Sequence, residues 1–453
     1  MSSNPTTLSV AIIEAACAPL EPASAAFAQR YRGETGARRP VHTIYGGAHL
    51  FRPDLAQKLG AAAIRAFEEH APDPAALALA LGFPAILAGA VHERVLQKLR
   101  REPVEDLRID FEDGYGARPD AEEDEHAVTA ARALREGMES GTLPPFIGIR
   151  IKSLGVETRR RAVRTLDLFL TALVAYRDSD TALPPGFVVT LPKITVAEQV
   201  TALASLLDAL EAKLGLRAGA IGIELMIEAP QILLGPSGES ALPRLLDAAR
   251  GRGVGAHLGA YDYTAECGIT AAHQTLGHPA CDLARQMMQL AFAGTGVRLS
   301  DGGTNVLPIP PHKGGAGDLD AAQIARNHET VIAAWRLHHD NIRRALIQGF
   351  YQGWDLHPAQ LPVRYAATYA FFLEGLEAAQ ARLGNFVNRA AQATRTGQVF
   401  DDAATGQGLL NFFLRAVDAG AITEEEAAQR TRLPLEELRG KSFAKIVQQR
   451  RAP

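Results

Sequence analysis

Short apolar and β-branched runs recur along this chain, separated by longer amphipathic stretches. The runs are Val41–Gly46, Leu107–Phe111, Phe146–Ile151, Phe187–Pro192, Ala220–Ile227, Val254–Ala260, Gly296–Ser300 and a weaker one near Gly349–Leu356. Unbroken apolar runs suit parallel strands buried on both faces, because strands with one wet face alternate instead. The intervening segments have helical spacing. Val200, Leu203, Leu206, Leu207 and Leu210 share one face of Val196–Leu214, and Ala280–Ala293 is a second clear case. Strands alternating in this way with helices predict an α/β fold, a closed (β/α)₈ TIM barrel, with an open doubly wound sheet as the alternative. The barrel is expected over 41–361. Residues 1–40 read as a helical lead-in and 362–453 as a C-terminal helical appendage broken around Thr396–Gly406. Pro74–Val91 is uncharged but contains Pro84, and reads as buried or loop-lining rather than membrane-spanning.

Composition narrows the class of function. Formal net charge is −4, and no part of the chain is strongly basic, which argues against a nucleic-acid partner. The three cysteines, Cys17, Cys267 and Cys281, form no C-x-x-C pair and predict neither a disulfide framework nor a zinc knuckle. No basic stretch precedes the apolar run Leu8–Ala16, so no secretory signal is read there. These features lead to an expected cytoplasmic protein with no membrane partner.

In a barrel of this kind chemistry gathers at the C-terminal ends of the strands. The second run ends in Asp110-Phe111-Glu112-Asp113-Gly114, a set of carboxylates that repel unless a cation is near. It is either a solvated loop or a site that orders a metal and its waters. Arg150 stands between isoleucines and must find an anion. That anion is an internal carboxylate, a substrate oxygen, or both. Lys193 follows Leu191-Pro192 and reads as an electrostatic element more readily than as a Schiff-base amine. Glu224 and Glu228 share one strand face, with Glu228 nearer the mouth and Glu224 deeper, where it can meet a cation. Asp262 follows Gly259-Ala260-Tyr261 at the end of the next strand. Two carboxylates on neighbouring strand ends, with room for water, suit Mg²⁺ better than zinc. His42 and His49 flank the first strand as candidate bases, while His257 and His357 read as structural.

These segments together resemble the citrate lyase β-subunit/malyl-CoA lyase-like group of the HpcH/HpaI aldolase superfamily. Asp110-Phe-Glu-Asp is similar to that group's Asp-Leu-Glu-Asp, Leu191-Pro-Lys to its Leu-Pro-Lys, and Gly148-Ile-Arg-Ile to its Val-Arg-Val/Ile-Asn strand, with lysine for asparagine. Met226-Ile-Glu-Ala, Gly259-Ala-Tyr-Asp and His357-Pro-Ala-Gln-Leu are similar to its Ile-Glu-Thr, Gly-x-x-Asp and His-Pro-x-Gln-Ile. The resemblance implies Mg²⁺ held by Glu228 and Asp262, and Arg150 on an oxo-acid or enolate. It places Glu112, Asp113, Gly259 and Ala260 around the substrate. It also implies a homotrimer or hexamer in which a C-terminal aspartate of a neighbouring subunit completes the site. The group's Met-Ile-Asp motif is missing, and Asp401 and Asp402 stand nearest its place. The expected activity is a Mg²⁺-dependent carbon–carbon lyase acting on a 2-oxo-acid or dicarboxylate, or on a CoA thioester. Arg150, Asp401, Asp402 and His49 are the candidate catalytic groups. The alternatives are a class II pyruvate aldolase using free aldehydes and a non-catalytic dicarboxylate-binding paralogue.

Overall fold

The structure is a computed structural model. It describes residues 7–33, 36–175, 182–314, 318–388, 394–396, 399–401 and 403–439. Eight parallel strands close into a barrel in sequence order: β1 His42–Gly47, β2 Asp106–Asp110, β3 Phe146–Arg150, β4 Val188–Leu191, β5 Gly222–Ile227, β6 Gly253–Leu258, β7 Arg298–Gly303 and β8 Gln352–Trp354. Every expected run overlaps one of these strands.

The pairing register sorts the side chains. Ile109 and Ile149 turn outward, as do Val189, Ile223 and Leu225, and all are fully buried. They pack against Leu134, Phe169, Leu170, Leu203 and Leu207 of the surrounding helices, which are equally buried. The lumen positions between them are unusually polar. Arg108 donates from Nε and Nη2 to Glu224 at 3.0 and 2.7 Å and from Nη2 to Asp106 at 3.0 Å. Glu224, deep in β5, therefore meets a cation. Tyr45 and Trp354 both reach Nδ1 of His257, at 3.0 and 3.2 Å. An indole N–H only donates, so Nδ1 is the acceptor and the ring proton is on Nε2, which lies 2.9 Å from Glu224 Oε2. In buried ion networks of this kind the cost of desolvation offsets much of the Coulombic gain.

A second charged knot ties β1 and β8 to the helical layer. Asp355, just past β8, accepts from His42 Nδ1 at 2.8 Å, from Arg364 Nη2 at 2.9 Å, and contacts His338 Nε2 at 2.9 Å. All four side chains are buried.

Two local features depart from expectation. Pro74–Val91 is mostly helical: Asp73 caps a helix over Pro74–Leu81, Gly82 (φ +77°) ends it in the left-handed region, and a second helix begins at Ala88. In the C-terminal region, helices over Leu361–Asn388 and Ala403–Asp418 flank an antiparallel pair, β9 Thr394–Thr396 and β10 Val399–Asp401, so the appendage is not wholly helical. The lead-in forms helices over Val10–Cys17 and Leu20–Arg30 with no buried residue. By length and composition the Val10–Arg30 stretch, mean hydropathy 1.3, is apolar enough to cross a membrane.

Candidate functional site

The C-terminal ends of β2 to β6 bring together most of the candidate residues. Register sets the first pair, because Asp110 and Arg150 are direct neighbours across β2 and β3. Asp110 is fully buried and accepts Arg150 Nε at 2.7 Å in a two-point fork with Nη2. The same carboxylate takes the backbone N–H of Glu112 at 3.0 Å and of Gly114 at 2.7 Å, which curls the acidic loop over the strand end. Arg150 Nη1 then faces Glu112 Oε2 at 3.1 Å and Asp113 Oδ2 at 3.5 Å. Burial works against its charge, but Asp110 and Glu112 outweigh it, so the guanidinium stays protonated. Both readings of Arg150 are thereby compatible: it has an internal partner, and one nitrogen still points at the mouth. Its Cζ stacks 4.7 Å from the Tyr45 ring centroid. Tyr45 was missed from the sequence, and the only signal for it was its two-residue spacing from Thr43 on the lumen face of β1.

Lys193 occupies the centre of the acids. Its Nζ contacts Glu112, Asp113 Oδ1 at 3.2 Å and Asp262 Oδ1 at 3.9 Å. Burial lowers its pKa, but Glu112 and Asp113 raise it more, so the amine is held as an ammonium. An ammonium is not a nucleophile, which weighs against a Schiff-base role. Borohydride added with pyruvate is accordingly expected to trap no covalent adduct; a mass gain on Lys193 would contradict this. The backbone at Lys193 lies in the left-handed region (φ +50°) and directs its N–H onto Glu228 Oε1.

Glu228 and Asp262 close the site. β5 and β6 pair up to Ile227 and Leu258, so the next residues in register are Glu228 and Gly259. A Cβ at Gly259 would lie 2.3 Å from Glu228 Oε2, so only glycine admits that carboxylate. The Gly259 N–H already donates to the Ile227 carbonyl at 3.0 Å, and Ala260 is buried at the start of the next helix. Glu228 is 3% exposed. Burial, then repulsion from Asp262, pushes its pKa up to about 8. Asp262 sits in the first turn of the helix Ala260–Glu266 with its side chain exposed. Glu112 is also raised, by burial against the opposing pull of Arg150.

The histidines separate. His42 is fully buried, with Nδ1 on Asp355 and Nε2 accepting the Glu105 N–H at 2.9 Å. It is locked behind the barrel wall and is no base for the mouth, which corrects that expectation. His49 follows β1 at the rim, next to Tyr115 (ring centroids 5.6 Å apart), and its buried Nδ1 has no partner among the described residues. Burial, then Arg118, lowers its pKa and keeps it neutral. His357 Nδ1 accepts the Ala359 N–H at 3.2 Å, a structural cap. Asp401 ends β10, and its side chain, like the whole of Asp402, lies outside the described residues.

Among the described residues no three acidic, histidine or cysteine side chains form a ready metal cage. The donor set nevertheless fits a hard divalent cation that keeps several waters. Glu228 is a buried carboxylate whose partner here is a backbone N–H and whose neighbour is a second carboxylate.

A family profile described as a domain of unknown function, DUF6986, matches residues 20–446. No curated protein matches the sequence. A solved citrate lyase from Burkholderia xenovorans LB400 superposes with TM-score 0.55 and 19% identity, covering 87% of this chain and 97% of its own. A malate synthase from Haloferax volcanii gives TM-score 0.45 and 14% identity over 90% and 98%. The first likeness establishes the shared barrel fold and nothing finer.

Proposed function

We infer that this chain, which belongs to the DUF6986 family, a domain of unknown function, is a Mg²⁺-dependent carbon–carbon lyase or aldolase acting on a 2-oxo-acid or a hydroxy-acid derivative. The observation that carries this reading is the convergence of Glu228 and Asp262 beside two cations, Lys193 and Arg150, at one barrel mouth.

Glu228 and Asp262 would hold the ion. Bound there, Mg²⁺ would polarise the carbonyl of a 2-oxo-acid and share the negative charge that develops as the adjacent bond breaks. The protein's own groups do the rest. Asp110 fixes the guanidinium of Arg150, so no reorganisation is needed when a substrate carboxylate arrives. Glu112 and Asp113 neutralise Arg150 and Lys193 in the absence of substrate, and an incoming anion exchanges with them. Tyr45 supports Arg150 from below and is itself held by His257. Among the described residues His49 is the neutral base left at the rim. A homotrimer or hexamer that brings Asp401 or Asp402 of one copy to the mouth of the next is part of the proposal.

The test is exchange of the pyruvate methyl protons in D₂O, followed by proton NMR. The reading expects exchange that requires Mg²⁺ and stops with chelator. One observation favours a second reading, a dicarboxylate-binding protein without turnover: an ammonium already occupies the centre of the acids. Oxaloacetate binding by calorimetry with no exchange would select that reading and overturn the first.

A further inference from the structure

The barrel end opposite the mouth carries the reverse charge. Between the segment leading into β1 and the first residues of β6 and β7 lies a cleft of about 500 Å³. Arg30, Arg32, Arg38, Arg39 and Arg298 line it, against one carboxylate, Asp247. Glu228 and Asp262 follow the C-terminal ends of β5 and β6, whereas this cleft is built from strand beginnings, so the barrel separates the two.

Two of the five guanidinium groups are neutralised. Arg30 Nη1 pairs with Asp247 at 2.7 Å, and Arg38 Nη2 with Glu102 and Glu105 at 2.7 and 3.0 Å. Two others are not. Arg32 donates from Nε only to the Gln29 carbonyl, at 2.9 Å, and meets no carboxylate among the described residues. Arg298 opens β7 with its Nε buried and without an acceptor among the described residues, and its guanidinium rests 5.7 Å from the Phe146 ring centroid. A buried donor left unpaired is destabilising, more so when it is charged. Like charges gathered around such a donor favour an anionic ligand there. Gly251, Gly253 and Gly296 line the same walls and keep them free of side chains. The volume lies within the range of small-molecule sites.

We propose that this basal cleft binds a phosphorylated small molecule, a di- or triphosphate, through the forks of Arg32 and Arg298. Guanidinium forks match adjacent phosphoryl oxygens two at a time. A single carboxylate would answer one of these two guanidinium groups and leave the other. The site is independent of the lyase reading.

The experiment is calorimetric titration of the full chain with inorganic pyrophosphate, without divalent cations. Binding is expected to weaken as salt rises from about 50 to 200 mM, as it must for an ion-paired ligand. Losing two charge-assisted contacts in R32Q/R298Q should weaken it by about 30-fold or more. Arg32 is exposed, so R32Q alone gives a folded variant with a smaller loss in the same direction. D262N should bind like the parent, which sets the mouth aside, and citrate should bind at least about tenfold more weakly than pyrophosphate. The proposal is overturned by no pyrophosphate binding, by binding unchanged in R32Q/R298Q and R32Q, by loss in D262N, or by citrate binding as tightly.

Discussion

Replacing Glu228 by glutamine is expected to abolish Mg²⁺-dependent exchange of the pyruvate methyl protons while the fold survives. The side chain keeps its shape, fits against Gly259, and its amide oxygen still accepts the Lys193 N–H. What disappears is one of the two anionic ligands proposed for the ion. Loss of one preorganised electrostatic element of this kind costs on the order of 10²–10³ in rate, about 3–4 kcal/mol. Stability should move the other way. In the metal-free protein burial and Asp262 oppose the ionisation of Glu228 that the unfolded chain allows, so an amide there leaves the urea midpoint unchanged or higher. Exchange within about threefold of the parent would sink the ligand assignment, since no term of the expected size would have been lost.

The second large effect is on stability and lies away from the mouth. Asp355→Asn should cost about 3–5 kcal/mol, because one substitution strips the buried Arg364 of its counter-charge and disturbs His42 and His338 together. The burial of Asp355 is outweighed by Arg364 and the two histidines, which hold its carboxyl well below the usual range. For a depressed carboxylate the stabilisation is present above its unfolded pKa and is lost as pH falls through the folded value. The parent and Asp355→Asn midpoints should therefore differ most near neutrality and converge in strong acid. A neutral-pH urea midpoint matching the parent would show that the knot contributes nothing.

The barrel was legible because its strands are apolar on their outer faces. Ile147 and Ile149 flank Gly148, and Ile223, Leu225 and Ile227 alternate on β5, which marks each strand in a short window. Arg150 was legible as a residue in need of an anion, and strand pairing supplied Asp110 as the neighbour. The lumen network was not. Asp106 and Arg108 are separated by one residue, and Arg108 bridges Asp106 to Glu224 across the barrel, a contact between positions 116 apart that no local pattern encodes. Lys193 was weighed for its amine, and its φ of +50° with the backbone contact to Glu228 could not be read from Leu191-Pro192-Lys193. His42 looked like His49 in sequence. Only alternation along β1 distinguishes them, sending His42 outward to Asp355 and leaving His49 at the rim. The short pair β9–β10 has three residues per strand, too few for a periodicity to register.

The most direct test of the central claim is Mn²⁺ binding, as a paramagnetic stand-in for Mg²⁺, followed by electron paramagnetic resonance in the parent, E228Q and D262N. The account predicts about one ion per chain in the parent, displaced by Mg²⁺, and loss of that ion in each variant. Equal binding in all three proteins would contradict it, because Glu228 and Asp262 would then hold no metal.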